Sequence, residues 1–266
     1  MKLPAVLVCA LLFSLGTNIA PAEDWAKAAL EKSTRHHEWV ELQSGGRKLK
    51  AYVVYPEVKA KAPAVLVIHE IFGLTDWAKE LADEIAAAGY LAIVPDLLSA
   101  PDGKDTQSYS DKEAAIKAVS ALKAEQILPD LDAAAEYVRK LPACDGSLAV
   151  TGFCWGGGWA FRYANHDPNL KAAFVFYGTG PGETAEAEKI ACPVYGFYGE
   201  QDARIGATIP QTEEIMKSLG KTYEPVTYKG AGHGFMRAGE APDATPDNRQ
   251  ARNEAWKRWK KLLGNL

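Results

Sequence analysis

Cysteine is scarce in this chain. Four occur in 266 residues, and no two form a Cys-x-x-Cys pair. A dithiol redox centre therefore finds no support, and no resolving partner for a peroxide-sensing thiol is evident. Clustered basic charge is lacking too. The net charge is −4, the sequence pI is near 5.8, and no basic stripe appears, so nucleic acid and other polyanions are not expected partners. Internal repeats, low-complexity tracts and an interdomain linker are also missing. The acidic stretch Pro181–Glu188 reads as a solvated excursion, not a boundary. With 47% hydrophobic and 24% charged residues, the composition is that of an ordinary globular chain.

A long apolar run is absent as well. The longest near the start, Ala5 through Leu15, is too short to span a bilayer comfortably. Lys2 before it and Ala20-Pro21-Ala22 after it give the layout of a secretory leader. Residues 1–22 read as a signal peptide cleaved after Ala22, with export to a periplasm and no membrane attachment afterwards. Residues 23–266, roughly 240 in all, suit one large α/β domain, expected as a monomer. Cys144, Cys154 and Cys192 remain after cleavage, an odd number for an oxidising compartment. Cys144 and Cys192 each precede an apolar strand, so they form either a disulfide or two buried thiols.

What is present alternates strands with helices. A polar helix over 24–32 leads to a hairpin, 39–43 and 48–55, around the four-residue connection Ser44-Gly45-Gly46-Arg47. The continuous apolar runs 64–68 and 90–95 read as strands covered on both faces. Between them a helix capped by Asp76 runs to about Ala88 and is ended by Gly89. A polar loop over 99–110 leads to helices from Asp111 and from Pro129 to Arg139. Strands at 171–177, 193–198 and 222–228 follow, with helices at 211–219 and 248–263. The pattern predicts a mostly parallel, doubly wound sheet with helices on both faces and an N-terminal β-hairpin.

One segment stands out within that frame. Leu148-Ala149-Val150-Thr151 runs into Gly152-Phe153-Cys154-Trp155-Gly156, and a helix-compatible stretch follows. This is the layout of a nucleophile elbow with cysteine at the tip, where the residues two before and two after must be small. A thiol nucleophile needs a base, and the base needs an orienting acid. In an elbow fold both come later in the chain, each just past a strand's C-terminal end. Asp202 follows the strand 193–198, and His233 follows the strand 222–228 within a glycine-rich loop. Singly, these residues read as a buried thiol, a turn acid and a loop histidine; their joint order makes Cys154, Asp202 and His233 a candidate triad. At the exit of the strand 64–68, His69-Glu70-Ile71-Phe72-Gly73 nominates the Ile71 amide, with that of Trp155, for an oxyanion hole. Glu70 is an unusual carboxylate there, either part of the site or a surface acid.

These motifs, together with Gly196-Phe197-Tyr198-Gly199 and with Arg237 after His233-Gly234-Phe235, resemble the dienelactone hydrolase family of the α/β-hydrolase superfamily. The resemblance covers residues 40–263. It implies an acyl-thioester mechanism on an ester or lactone, with no metal and no organic cofactor. It also implies that Glu70 interacts with the resting thiol and shifts when substrate enters. Arg237 would bind a substrate carboxylate through its planar fork. Two features depart from the family pattern. The stretch after the second buried strand carries no arginine, only Lys104, and a leader precedes the domain. Both weaken dienelactone itself as substrate. A carboxylesterase with the same triad and a non-catalytic binding homologue are the alternatives.

Overall fold

The N-terminal hairpin fixes one edge of the sheet. In the computed structural model, which describes residues 24–99 and 103–266, α1 (Asp24–Lys32) precedes β1 (His37–Ser44) and β2 (Arg47–Val54). The leader and its cleavage site lie outside the described residues. The two strands pair antiparallel from His37 opposite Val54 to Ser44 opposite Arg47. Only Gly45 and Gly46 join them, with φ of +53° and +81°. Two left-handed residues in succession match the right-handed twist of paired strands, and glycine adopts both without a Cβ clash. The connection is therefore a two-residue turn, not the four-residue loop expected.

The chain continues through β3 (Ala62–Ile68), α2 (Asp76–Ala87) and β4 (Leu91–Pro95). The α2 helix starts one residue earlier than expected: Thr75, not Asp76, is the cap, and its hydroxyl accepts the Ala78 N–H at 3.4 Å. Next come α3 (Lys112–Ala121), α4 (Ala124–Lys140), β5 (Cys144–Phe153), α5 (Trp155–His166) and β6 (Ala172–Phe176). The C-terminal part holds β7 (Val194–Gly199), α6 (Ala203–Gly206), α7 (Ile209–Ser218), β8 (Tyr223–Tyr228), α8 (Phe235–Glu240) and α9 (Pro246–Leu263). The strands form one sheet in the order β1-β2-β4-β3-β5-β6-β7-β8, antiparallel from β1 to β4 and parallel from β4 to β8. That is the α/β-hydrolase arrangement.

Strand alternation splits the core in two. Ala64, Leu66 and Ile68 face one side, where they meet Ile127 and Leu131 of α4 and Ala160 and Ala164 of α5. Val65 and Val67 face the other, against Leu81 and Ile85 of α2 and Trp259 of α9. Burial also explains why α4 begins five residues before Pro129. Ile127, Leu131, Ala134, Ala135 and Val138 make one continuous buried stripe. A proline in a helix interior costs about 3 kcal/mol, and burying Ile127 and Leu131 at about 1.5–3 kcal/mol each offsets it.

Cys144, Cys154 and Cys192 are all free thiols. The Cys144–Cys192 disulfide weighed above is not formed. Cys144 Sγ instead accepts the Gly146 N–H at 3.3 Å, and burial raises the Cys192 pKa to about 11.

Candidate active site

The C-terminal ends of the parallel strands converge on Cys154. It stands between β5 and α5 with φ +55° and ψ −115°, one of two described non-glycine residues with positive φ. Its backbone N–H donates to the Phe176 carbonyl at 3.0 Å. The turn is so tight that a Cβ on Gly152 would lie 1.9 Å from the Gly156 oxygen. A Cβ on Gly156 would lie 2.4 Å from the carbonyl oxygens of Ile68 and His69. Both small positions read from the motif are thus demanded by backbone contact, and the elbow is packed directly on the exit of β3.

The Cys154 thiol is partly buried, and burial raises its pKa. The Glu70 carboxylate raises it further by disfavouring a second negative charge nearby. The backbone N–H groups of Trp155 and Ile71 oppose this, as does Arg204. Both amides nominated for the oxyanion hole therefore act on the sulfur at the elbow.

Asp202 caps α6, where its Oδ1 accepts the Ile205 N–H at 3.4 Å, and its Oδ2 accepts from His233 Nδ1. An ionised carboxylate can only accept, so Nδ1 is the donor; in the neutral imidazole this tautomer leaves the lone pair on Nε2, the form a general base requires. Asp202 is buried, whereas His233 is exposed. The loop bearing His233 is held by the Gly232 N–H, which donates to Asn248 Oδ1 at 2.9 Å, and by the Gly230 N–H, which donates to Glu200 Oε2 at 2.9 Å. Tyr177 supports the imidazole edge-on, with ring centroids 5.1 Å apart.

Glu70 and Arg237 are found together. Arg237 Nε donates to Glu70 Oε2 at 2.7 Å, and the Glu70 side chain is only 4% exposed. The guanidinium also lies over the Phe72 ring, 5.1 Å from its centroid. Arg237, the residue expected to bind a substrate carboxylate, is paired with Glu70 in this structure, and the Glu70 carboxylate acts in turn on the Cys154 thiol. His69 holds the same loop from beneath. Its Nδ1 donates to the Glu70 carbonyl at 2.7 Å, and its ring stacks on Trp155 at 5.8 Å.

Beside the thiol opens a cavity of about 540 Å³, lined by Cys154, Ile71, Trp155, Trp159, Tyr177 and Arg204 among others. Lys104 is not among the lining residues. Sequence reasoning missed two of these groups. Tyr177 has φ +40°, is fully buried, and has no hydrogen-bond partner for its hydroxyl among the described residues. Burial, reinforced by Glu70, pushes its pKa well above the ordinary tyrosine value. Arg204 lies two residues beyond Asp202, a proximity that could have flagged it.

Comparison with known proteins decides the family. The model of the dienelactone hydrolase family matches residues 49–266. The chain belongs to the dienelactone hydrolase family. It is 34% identical over 206 residues to a Yersinia pestis protein named "Putative carboxymethylenebutenolidase", covering 73% of this chain and 76% of that one. A Methylorubrum extorquens protein of the same name is 32% identical over 222 residues, 79% and 74% of the two chains. A crystal structure of a "Putative Dienelactone Hydrolase" from Klebsiella pneumoniae superposes with a TM-score of 0.77 at 30% identity, covering 88% of this chain and all of that one. A thermophilic carboxylesterase, EstE1, at 18% identity and a TM-score of 0.66, shares the fold. As a member of this family, the protein is a hydrolase acting on ester bonds.

Proposed function

We propose that the protein is an exported hydrolase that cleaves a small ester or lactone through an acyl-thioester on Cys154. One observation carries this reading: a strained cysteine lies under two backbone amides, at the same strand ends as an Asp202–His233 hydrogen bond. His233 Nε2 accepts the thiol proton, and the thiolate attacks the carbonyl carbon. The carbonyl π electrons move to oxygen, where the Ile71 and Trp155 N–H groups stabilise the charge. Collapse of that intermediate expels the alcohol oxygen, which takes the proton from His233, and leaves the acyl-thioester. Water then gives a proton to His233 and attacks the same carbon, releasing the acid and restoring the thiol. Asp202 keeps the imidazole in the working tautomer throughout. The steps balance with water as the only co-reactant.

In the resting enzyme the Glu70 carboxylate holds the thiol protonated, which limits oxidation after export. Substrate entry displaces Glu70 and favours the thiolate. A lactone, whose ring opens in the acylation step, and an acyclic ester both suit this chemistry.

A panel of 4-nitrophenyl esters and five- and six-membered lactones tests the reading. The wild type is expected to turn over at least one class. Cys154→Ala and His233→Ala should each lose about 10³-fold or more in kcat/KM. Undiminished turnover in Cys154→Ala would overturn the assignment. The mass of protein recovered from a periplasmic fraction tests export, with a mature chain beginning at Glu23 expected.

A further inference from the structure

His69 is completely buried at the exit of β3, and it does not line the cavity beside Cys154. A substrate in that cavity does not reach it. Its Nδ1 lies 2.7 Å from the Glu70 carbonyl oxygen, while its Nε2 has no hydrogen-bond partner among the described residues. A carbonyl only accepts, so the proton is on Nδ1. Burial lowers the pKa of the ring and keeps it neutral, with that single N–H. An apolar ring would fill the same space without a buried, unpaired nitrogen, which costs about 1–3 kcal/mol. The Nδ1 hydrogen bond is what such a ring would lack.

The Glu70 carbonyl and the Ile71 N–H belong to one trans peptide unit. The unit is planar and its C=O and N–H point opposite ways, so holding the oxygen aims the hydrogen. That hydrogen acts on the Cys154 sulfur, where it lowers the thiol pKa. A hydrogen bond to the carbonyl also polarises the amide and strengthens its N–H as a donor. The Gly73 N–H reaches the same oxygen, but at 3.2 Å. The far side of the turn is braced separately. There the Leu74 N–H donates to Thr106 Oγ1 at 2.9 Å, and the Thr106 hydroxyl donates to Asp96 at 2.7 Å. His69 also touches the residue of the second oxyanion donor, because its ring stacks on that of Trp155 with 14° between the planes.

We propose that His69 is the positioning residue of the oxyanion hole, its Nδ1–H fixing the Glu70–Ile71 peptide so that the Ile71 N–H meets the oxyanion formed when Cys154 attacks. This rests on the reading of Cys154 as the nucleophile beneath the Ile71 and Trp155 amides. His69 touches no reacting atom. It holds the donor in place before charge develops, so that no reorientation is needed during the reaction.

Two substitutions separate the hydrogen bond from the ring. His69→Asn keeps an N–H at the position of Nδ1 and loses the ring. His69→Phe keeps a stacking ring of similar size and loses the donor. In His69→Phe the Glu70 carbonyl retains the Gly73 N–H, so no buried acceptor is orphaned, and urea midpoints check that both variants are folded. With 4-nitrophenyl butyrate, His69→Phe is expected to lower kcat about 10- to 100-fold, less than the loss of a whole donor, with KM changed by less than about threefold. His69→Asn should turn over at least about fivefold faster than His69→Phe. A packing role predicts the opposite order. That order, or an unchanged kcat in His69→Phe, would overturn the proposal.

The second measurement uses no turnover. Iodoacetamide should alkylate Cys154 several-fold more slowly at pH 7 in His69→Phe than in wild type or His69→Asn, with the rates converging above the thiol pKa. A difference that persists at every pH would report altered access to the thiol and count against the proposal. Slower alkylation at pH 7 in a protein that cleaves no ester would support the positioning of Ile71 and count against the hydrolase reading. Equal alkylation and equal kcat in three proteins that all cleave the ester would overturn the positioning role and leave the hydrolase reading intact.

Discussion

At the scale of single residues, the site depends on charges that oppose one another across a few side chains. Glu70 raises the Cys154 pKa, and Arg237 is paired to Glu70. Replacing Glu70 by Gln removes a negative charge from the thiol and leaves a guanidinium uncompensated nearby. Both changes favour the thiolate. Iodoacetamide should therefore alkylate Cys154 faster in Glu70→Gln than in wild type at pH 7, by several-fold, with the two rates converging above the thiol pKa. An unchanged or slower rate at pH 7 would contradict the resting role given to Glu70. Gly152 makes a second prediction. A Cβ there would lie 1.9 Å from a backbone oxygen that cannot move without unwinding the first turn of α5. Gly152→Ala should destabilise by several kcal/mol, read as a fall in urea midpoint or as loss of soluble protein. Much of this site was legible in the sequence, because order along the chain sufficed: Cys154, Asp202 and His233 each come just past the end of a strand. The Glu70–Arg237 pair was not, since it joins side chains 167 positions apart and depends on which way each points. Tyr177 escaped for a different reason, as no composition signal marks a tyrosine at positive φ.

At the scale of elements, hydrophobic periodicity located every strand, and the misreadings fall at boundaries set by backbone chemistry. Gly45 and Gly46 close the hairpin in two residues, a geometry fixed by their φ angles and not by loop length. Pro129 looked like a helix start, yet the buried stripe beginning at Ile127 carries α4 through it. The α9 helix starts at Pro246 behind a Thr245 cap whose hydroxyl accepts the Asn248 N–H at 3.3 Å, two residues earlier than periodicity alone suggested. Thr245→Ala should cost about 1 kcal/mol, read as a lower urea midpoint with an unchanged slope. The short helices α6 and α8 were not anticipated, since four and six residues are too few to show a period. They matter nonetheless, because α6 presents Arg204 and α8 presents Arg237.

At the scale of the whole molecule, a partly buried acidic cluster links α2 and α8, with Arg252 of α9 paired to it. Glu80, Glu84 and Glu240 bring carboxylate oxygens within 4.8 Å of one another. Arg252 pairs with Glu84 and Glu240, and the Trp77 indole N–H donates to Glu240 at 2.8 Å. Burial, then the carboxylates of Glu240 and Glu84, push the Glu80 pKa up to about 9. Its folded pKa thus exceeds the unfolded value near 4.5, so the folded state binds the extra proton. The resulting stability is fully present below pH 4.5 and is lost as pH rises through 9. Glu80→Gln should flatten that decline and raise Tm by a few degrees at pH 9, with little change at pH 5. A parallel decline in both proteins would contradict it. The two-sided core and the parallel order of the sheet were legible from the alternation of strands and helices, whereas this cluster was not, being assembled from helices whose acids look solvated in sequence. The central claim, that Cys154 carries the acyl group, is tested most directly by intact-protein mass spectrometry after rapid mixing with a 4-nitrophenyl ester and acid quenching. The account predicts a species heavier by one acyl group, mapped to the Cys154 peptide and absent from Cys154→Ala. Turnover with no adduct on Cys154, or an adduct on another residue, would contradict it.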